Sequence, residues 1–385
     1  MSINFVPSLQ HFTLAKIAIA LCNNHEIKAL LDESRSPYSC DSRGLYTVQG
    51  NKYLPIFGRS GHPLYTNEER PVQRHNANND ILEQIRGRVS GIIALLGIGR
   101  SLENRILSFI PHIVLEIEKW EEDHPEVLPA GYDAHVHFCW KSVGTIDRES
   151  TAENLLNHGN LPVKNRFLLA CLYCMQDHLS SLWDSIYDSH KAHLISKCHR
   201  GSLLNYWTTC LDGLLSRRSV FPDASCIINV SALRYFYNEH GEDEKRSFLN
   251  DVLSKHWKNL DLVRFCVSKL CQNGPEELSS SQCHNILRCF LNWPLQSFFL
   301  NVSECLLIKL DLAEINDLLH DILRIMNTHQ YEGTEYLNLL KELWEQIPSY
   351  HKESLINTPD FQPIKTALGQ TFADSLTNKV IGDII

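Results

Sequence analysis

The chain has no apolar run long enough to cross a membrane. The nearest, Gly91–Ile98, soon meets Arg100, whereas a spanning helix needs roughly 18 or more such residues. It also has no surplus of positive charge. Residues 1–150 hold 15 basic and 18 acidic side chains, the remainder holds 21 and 27, and the net charge is −9. Binding to a phosphate backbone needs a basic footprint, so charge disfavours a nucleic-acid partner and none is expected. Phosphate-cradling loops are missing too. Gly97-Ile98-Gly99-Arg100-Ser101 lacks the third glycine and the preceding strand of a dinucleotide fingerprint, and the lysine of a P-loop; it reads as a break between helices. No Gly-x-Ser-x-Gly elbow occurs. Residues 1–12 lack a basic leader, and Leu14–Cys22 is short and carries Lys16, so no secretory signal is expected. The expected location is cytoplasmic.

Cysteine is plentiful, with 13 residues in all. The number is odd, and the cysteines are spread along apolar helical stretches without tight loop spacing. In a reducing compartment they read as small buried hydrophobes, not as a disulfide framework. Two sequons, Asn229-Val230-Ser231 and Asn301-Val302-Ser303, would there go unglycosylated. Hydrophobic residues make up 43% and charged residues 21%, enough apolar surface for a large helical domain or two ordinary ones.

What is present is a repeated helix–turn–helix pattern. Leu14–Cys22 runs into polar Asn23–Glu26 and then Ile27–Leu31. Arg166–Cys174 runs into Met175–His178 and then Leu179–Trp183. Superimposing Cys22 on Cys174 matches Ala18 with Ala170, Ile17 with Leu169, Ile27 with Leu179 and Leu30 with Leu182. Small residues where backbones approach and large ones at helical spacing are the signature of stacked helix pairs. The fold expected is all-α: an irregular array of stacked antiparallel helix pairs, α-solenoid-like, with little or no sheet. Repeat spacing is irregular, with no clean 33- or 34-residue period.

Along the chain this predicts an N-terminal helix pair over 1–34 and a Pro/Gly-rich loop or insertion over 35–80. A helical segment over 81–124, a connector over 125–149 and a helical-pair array over 150–385 follow. Asp80 with Glu83 three residues on has the form of a capping box. Ser101 restarts a helix, and Pro111 stands near the start of another, with Leu115 and Trp120 apolar and Glu116, Glu118, Glu121 and Glu122 solvated. His135–Trp140 is the one strand-like stretch. Trp183, Trp207, Trp257, Trp293 and Trp344 sit in apolar helical contexts and are expected in the core. Turns are expected at Gly159–Pro162, Met175–His178, Val220–Asp223, His240–Asp243, Asn292–Pro294 and Pro348, among others.

Two constellations suggest metal chemistry. Cys171, Cys174 and His178 share a helical face, with His190, His193 and Cys198 near in sequence; zinc wants four such ligands converging. Cysteines on an Ala/Leu/Phe-rich helix are more simply packing residues. His135-Val136-His137, after Asp133, has the alternate spacing that metal-dependent hydrolases use on a strand, but the further strands such enzymes need are missing. Asp147 and Arg148 read as a cap for a helix beginning near Ser150 or Thr151. No catalytic, cofactor-binding or metal-binding residue is assigned, and no cofactor is expected.

Three segments, Cys139–Arg148, Arg166–Trp183 and Asn292–Leu300, together resemble a lineage-expanded group of uncharacterised all-helical arachnid proteins. The similarity runs over most of the chain, least over 35–80. The group brings no activity to carry over. The helix pairs also resemble ankyrin repeats in outline, without the Thr-Pro-Leu-His turn. The function expected is a non-catalytic protein-interaction scaffold with a protein partner and no membrane. The alternatives are a metal-binding protein or metal-dependent enzyme using the His/Cys clusters, and a self-assembling structural protein.

Overall fold

The computed structural model describes residues 8–35, 72–95, 97, 99–124, 127–129, 131–158, 160–198, 201–213, 221–271, 278–328 and 333–369. Among them lie eighteen α-helices and no β-strand. The protein is all-α, an irregular array of helices packed across short turns. Its helices fall in two compact units, Val6–Lys255 and His256–Ile385.

The first unit holds α1 (Leu9–Cys22), α2 (His25–Arg35), α3 (Val72–Leu95), α4 (Arg100–Glu122), α5 (Arg148–His158) and α6 (Val163–Tyr173). It continues with α7 (Gln176–Asp184), α8 (Asp188–Lys197), α9 (Leu203–Leu211), α10 (Val230–Glu239) and α11 (Glu242–Lys255). Helix α1 packs on α4, and α3 on α2 and α4, while α6 meets α5, α7, α9 and α10. Every residue from Phe167 to Tyr173 is buried, as expected of a helix that is apolar on all sides. Burying such a helix takes its last carbonyls away from water, and they need other donors. Trp207 Nε1 donates to Cys171 O at 3.1 Å and Asn229 Nδ2 to Leu172 O at 2.9 Å.

The two helix pairs read from the sequence are α1–α2 and α6–α7, with Ala18 and Ala170 fully buried. Their turns differ by one residue. Cys22 closes α1 and Asn23 stays right-handed, whereas Cys174 lies beyond α6 with a left-handed φ of 53°. That reversal starts α7 one residue earlier in the shared register.

Several expectations are corrected. His135–Trp140 is not a strand. Asp133 Oδ1 accepts the His135 N–H at 3.1 Å and Ala134 O accepts that of His137, so the chain bends into a 3-10 turn at His135–His137. Only an isolated antiparallel bridge, Trp140 to Ile146, remains extended. Asp80 is not an N-cap, because α3 already begins at Val72; residues 72–80 contain no proline or glycine to stop it. The rest of the 35–80 stretch beyond Arg35, residues 36–71, lies outside the described residues. Helix α4 runs unbroken through Pro111. Proline removes one backbone donor, but the fully buried Ile106, Ile110 and Ile113 hold the helix to its neighbours. Leu115 is exposed. Glu116 and Glu121 are engaged, by the Ile146 N–H and by His135. Trp183, Trp207 and Trp344 are buried, whereas Trp257 and Trp293 are only half-buried.

The second unit holds α12 (Leu260–Leu270), α13 (Ser280–Phe290), α14 (Phe299–Leu306), α15 (Leu312–Thr328), α16 (Gly333–Gln346), α17 (Ser349–Ile356) and α18 (Gln362–Leu368). Helix α15 packs on α13, α16, α17 and α18. Ser279 and Gln282 form a reciprocal capping box at the start of α13, which satisfies two orphan donors. Asp321 on α15 accepts from Arg288 and Arg324, and the Arg288 guanidinium lies 4.0 Å over the Trp257 ring. The division between units falls inside the stretch 150–385 read from the sequence as a helical-pair array.

Candidate functional site

A buried polar cluster forms where α4 ends, α5 begins and α6 ends. Helix α4 leaves its last carbonyls without intrahelical donors. His124, just past its end, turns back so that Nδ1 lies 2.5 Å from Trp120 O. A carbonyl only accepts, so Nδ1 carries the proton. Nε2 is then the acceptor for the Tyr173 O–H, 2.9 Å away at the end of α6. The imidazole stacks on the Trp120 ring at 4.0 Å and lies nearly parallel to that of Tyr173, with 5.7 Å between centroids. Phe138 meets the Trp120 edge at 4.8 Å.

Arg148 completes the cluster. It is the first residue of α5, where the positive end of the helix dipole disfavours a cation. Asp147 caps that helix, its Oδ1 accepting from Ser150 N at 3.2 Å and its carbonyl from Thr151 N. The Arg148 side chain instead turns inward. Its Nη1 lies 2.7 Å from Asp123 Oδ2, with the two side chains 7% and 18% exposed. The contact is ionic rather than a well-aligned hydrogen bond, since neither Nη1 nor Nη2 meets an acceptor in line.

The electrostatics follow from this packing. Burial lowers the His124 pKa to about 4, helped by the neighbouring Arg148 charge and opposed by its bond to Trp120 and by Asp123. The ring is therefore neutral at neutral pH. Burial works against the Arg148 charge as well, but Asp123, Tyr173 and Glu116 outweigh it and the guanidinium stays ionised. Burial also raises the Tyr173 hydroxyl, which keeps its proton. Both imidazole nitrogens are engaged, which leaves His124 without a free lone pair for general-base work. The cluster ties three helix ends together.

The candidate metal residues are arranged differently. Cys171 and Cys174 are buried at the end of α6, and Cys174 Sγ faces the Cys171 carbonyl at 3.8 Å. Burial pushes the Cys171 thiol well above its usual value, and Cys174 upwards too, which opposes the thiolate that zinc requires. His178 lies half-buried on α7, and His190 and His193 are exposed on α8. Cys198, half-buried after α8, faces Leu194 O at 3.3 Å and Thr208. Among the described residues no three His, Cys, Asp or Glu side chains converge as metal ligands.

The His135 and His137 pair separates in the same way. His135 Nε2 reaches Glu121 Oε1 at 2.9 Å, whereas His137 stacks against Tyr132 and its carbonyl accepts from Asn154. Asp133 pairs with Lys28 on α2. Cys139 Sγ faces the His137 carbonyl at 3.9 Å, not its ring. Gly97 and Gly99 lie between α3 and α4 as a helix break, Gly97 with a φ of 66°.

Sequence reasoning missed both His124 and the inward role of Arg148. An arginine in the first turn of a helix was the available signal, because that position repels a cation unless an anion holds it. No protein-family model matches this chain, and no curated protein sequence matches it.

Proposed function

We propose that this chain is a non-catalytic protein-interaction scaffold. The observation that carries the reading is the placement of large apolar side chains outside the first unit's core. Leu95 is 89% exposed at the end of α3, Tyr187 78% at the start of α8 and Val136 71% on the 3-10 turn. All three stand at helix ends or in a turn, where a helical scaffold presents contacts to a partner. Each such side chain gains about 1.5–3 kcal/mol when a partner removes it from water. The chemically versatile groups point the other way: His124, Arg148, Cys171 and Cys174 lie inside and hold helices together.

The test compares the tagged wild-type chain with a Leu95→Asp, Tyr187→Asp double variant by affinity capture and light scattering. Unchanged circular dichroism would show that the variant folds. The reading predicts a stoichiometric complex with wild type that the variant loses. Stoichiometric zinc in the purified protein, lost in a Cys171→Ala, Cys174→Ala variant, would favour a metal protein instead. A self-assembling role would give a homo-oligomer in the absence of any other chain.

A further inference from the structure

We infer that His124 is an acid-sensitive latch where the end of α4 meets the end of α6, neutral and bridging when closed, protonated and released when open. The geometry carries this. One imidazole joins the carbonyl of Trp120 to the hydroxyl of Tyr173, at 2.5 and 2.9 Å, and stacks 4.0 Å from the Trp120 ring. The residue is 1% exposed, so a charge formed there has no water to stabilise it.

The charged and titratable groups around it decide what a second proton does. Asp123 adjoins it at the end of α4, Arg148 faces it from α5, and Tyr173 from α6; Glu116 acts on Arg148. Asp123 is already paired with Arg148 at 2.7 Å. Protonation turns Nε2 from an acceptor into a donor aimed at the Tyr173 oxygen. The Tyr173 hydroxyl proton then loses its acceptor, and the Arg148 guanidinium beside it offers only further donors. Two cations would also share one carboxylate. The bond to Tyr173 can reverse, with its oxygen accepting from Nε2–H, but that leaves the Tyr173 hydroxyl proton without an acceptor and a new charge in a water-free site, so acid weakens the closed arrangement.

The sign follows from linkage. The ring binds its proton at about 4 when folded, against 6.5 for the free side chain. Between those values the opened state binds more protons, so the closed state is fully favoured above pH 6.5 and weakens as pH falls towards 4. Over that range the opening equilibrium shifts by about two powers of ten or more.

The experiment is amide hydrogen exchange of the full chain at pH 7.5, 5.5 and 4.5, corrected for intrinsic exchange, for wild type and for His124→Gln. Wild type should lose protection in α6 at least tenfold between pH 7.5 and 4.5. The variant should be less protected at pH 7.5 but change less than threefold across the range. Equal pH dependence in both proteins would overturn the latch. If the variant does not fold, carbon-13 spectra of the histidine rings in wild type give the answer. A buried ring that stays neutral to below pH 5 supports the inference, and titration of His124 near 6.5 refutes it.

Discussion

Arg148 and Asp123 form an ion pair with 2.7 Å between Nη1 and Oδ2, and both side chains are largely withdrawn from solvent. It joins the first residue of α5 to the residue that closes α4. A buried pair of this kind is weak evidence of net stabilisation, because desolvation offsets much of the attraction. Removing one partner is a different matter, since it strands a buried charge. Asp123→Ala should lower the unfolding free energy by about 3–5 kcal/mol in urea titration. The double change Asp123→Leu, Arg148→Met should cost clearly less than the single one. If the single change costs under about 1 kcal/mol, the pair is not what holds the α4–α5 junction.

Helix α6 tests the packing account. Leu169 is fully buried within it. Leu169→Ala should cost on the order of 2–5 kcal/mol, with the spread set by how far the neighbours collapse into the space. A thermal or urea unfolding curve reads this directly, and a loss under about 1 kcal/mol would contradict the central placement of α6.

Cysteine reactivity separates the inner and outer thiols. Burial raises Cys22 and Cys266 to about 12 and Cys171 well above its usual value, whereas Cys305 is exposed on α14. Iodoacetamide attacks the thiolate. Brief alkylation of the native protein at pH 7.5, followed by mass spectrometry, should label Cys305 and leave Cys22, Cys171 and Cys266 unmodified until denaturant is added. Early labelling of Cys171 would place it outside the core.

Asp223 supplies an acid-range prediction separate from His124. Burial works against its charge, but hydrogen bonds from Ser225 and Lys255 outweigh that and hold its pKa at about 2. Its ordinary value is 3.8, so its contribution is complete above that and is lost as pH falls through 2. Asp223→Asn should therefore flatten the stability profile between pH 4 and 2 and leave its shape unchanged above pH 5. A change in shape confined to higher pH would be the contrary result.

The helices were legible in the sequence wherever apolar spacing was strong and breakers marked the ends. The α1–α2 and α6–α7 pairs are examples, down to the buried Ala18 and Ala170. Tertiary packing overrode local signals elsewhere. Pro111 suggested a boundary that the buried isoleucines of α4 erase, and Asp80 resembled a cap inside a helix that begins earlier. The unit boundary near His256 carries neither proline nor glycine, and its only local mark is the Asn259 cap on α12. The His124 cluster was illegible for a different reason. Its members are separated by up to about fifty residues, and periodicity reports which face of a helix is apolar, not which polar groups from distant helices meet.

The most direct measurement is affinity capture of the tagged full chain with elemental analysis of the same sample. The account predicts a stoichiometric protein partner, lost when Leu95 and Tyr187 are replaced by aspartate, and no stoichiometric transition metal. A bound metal with no partner, removed by replacing Cys171 and Cys174, would contradict it.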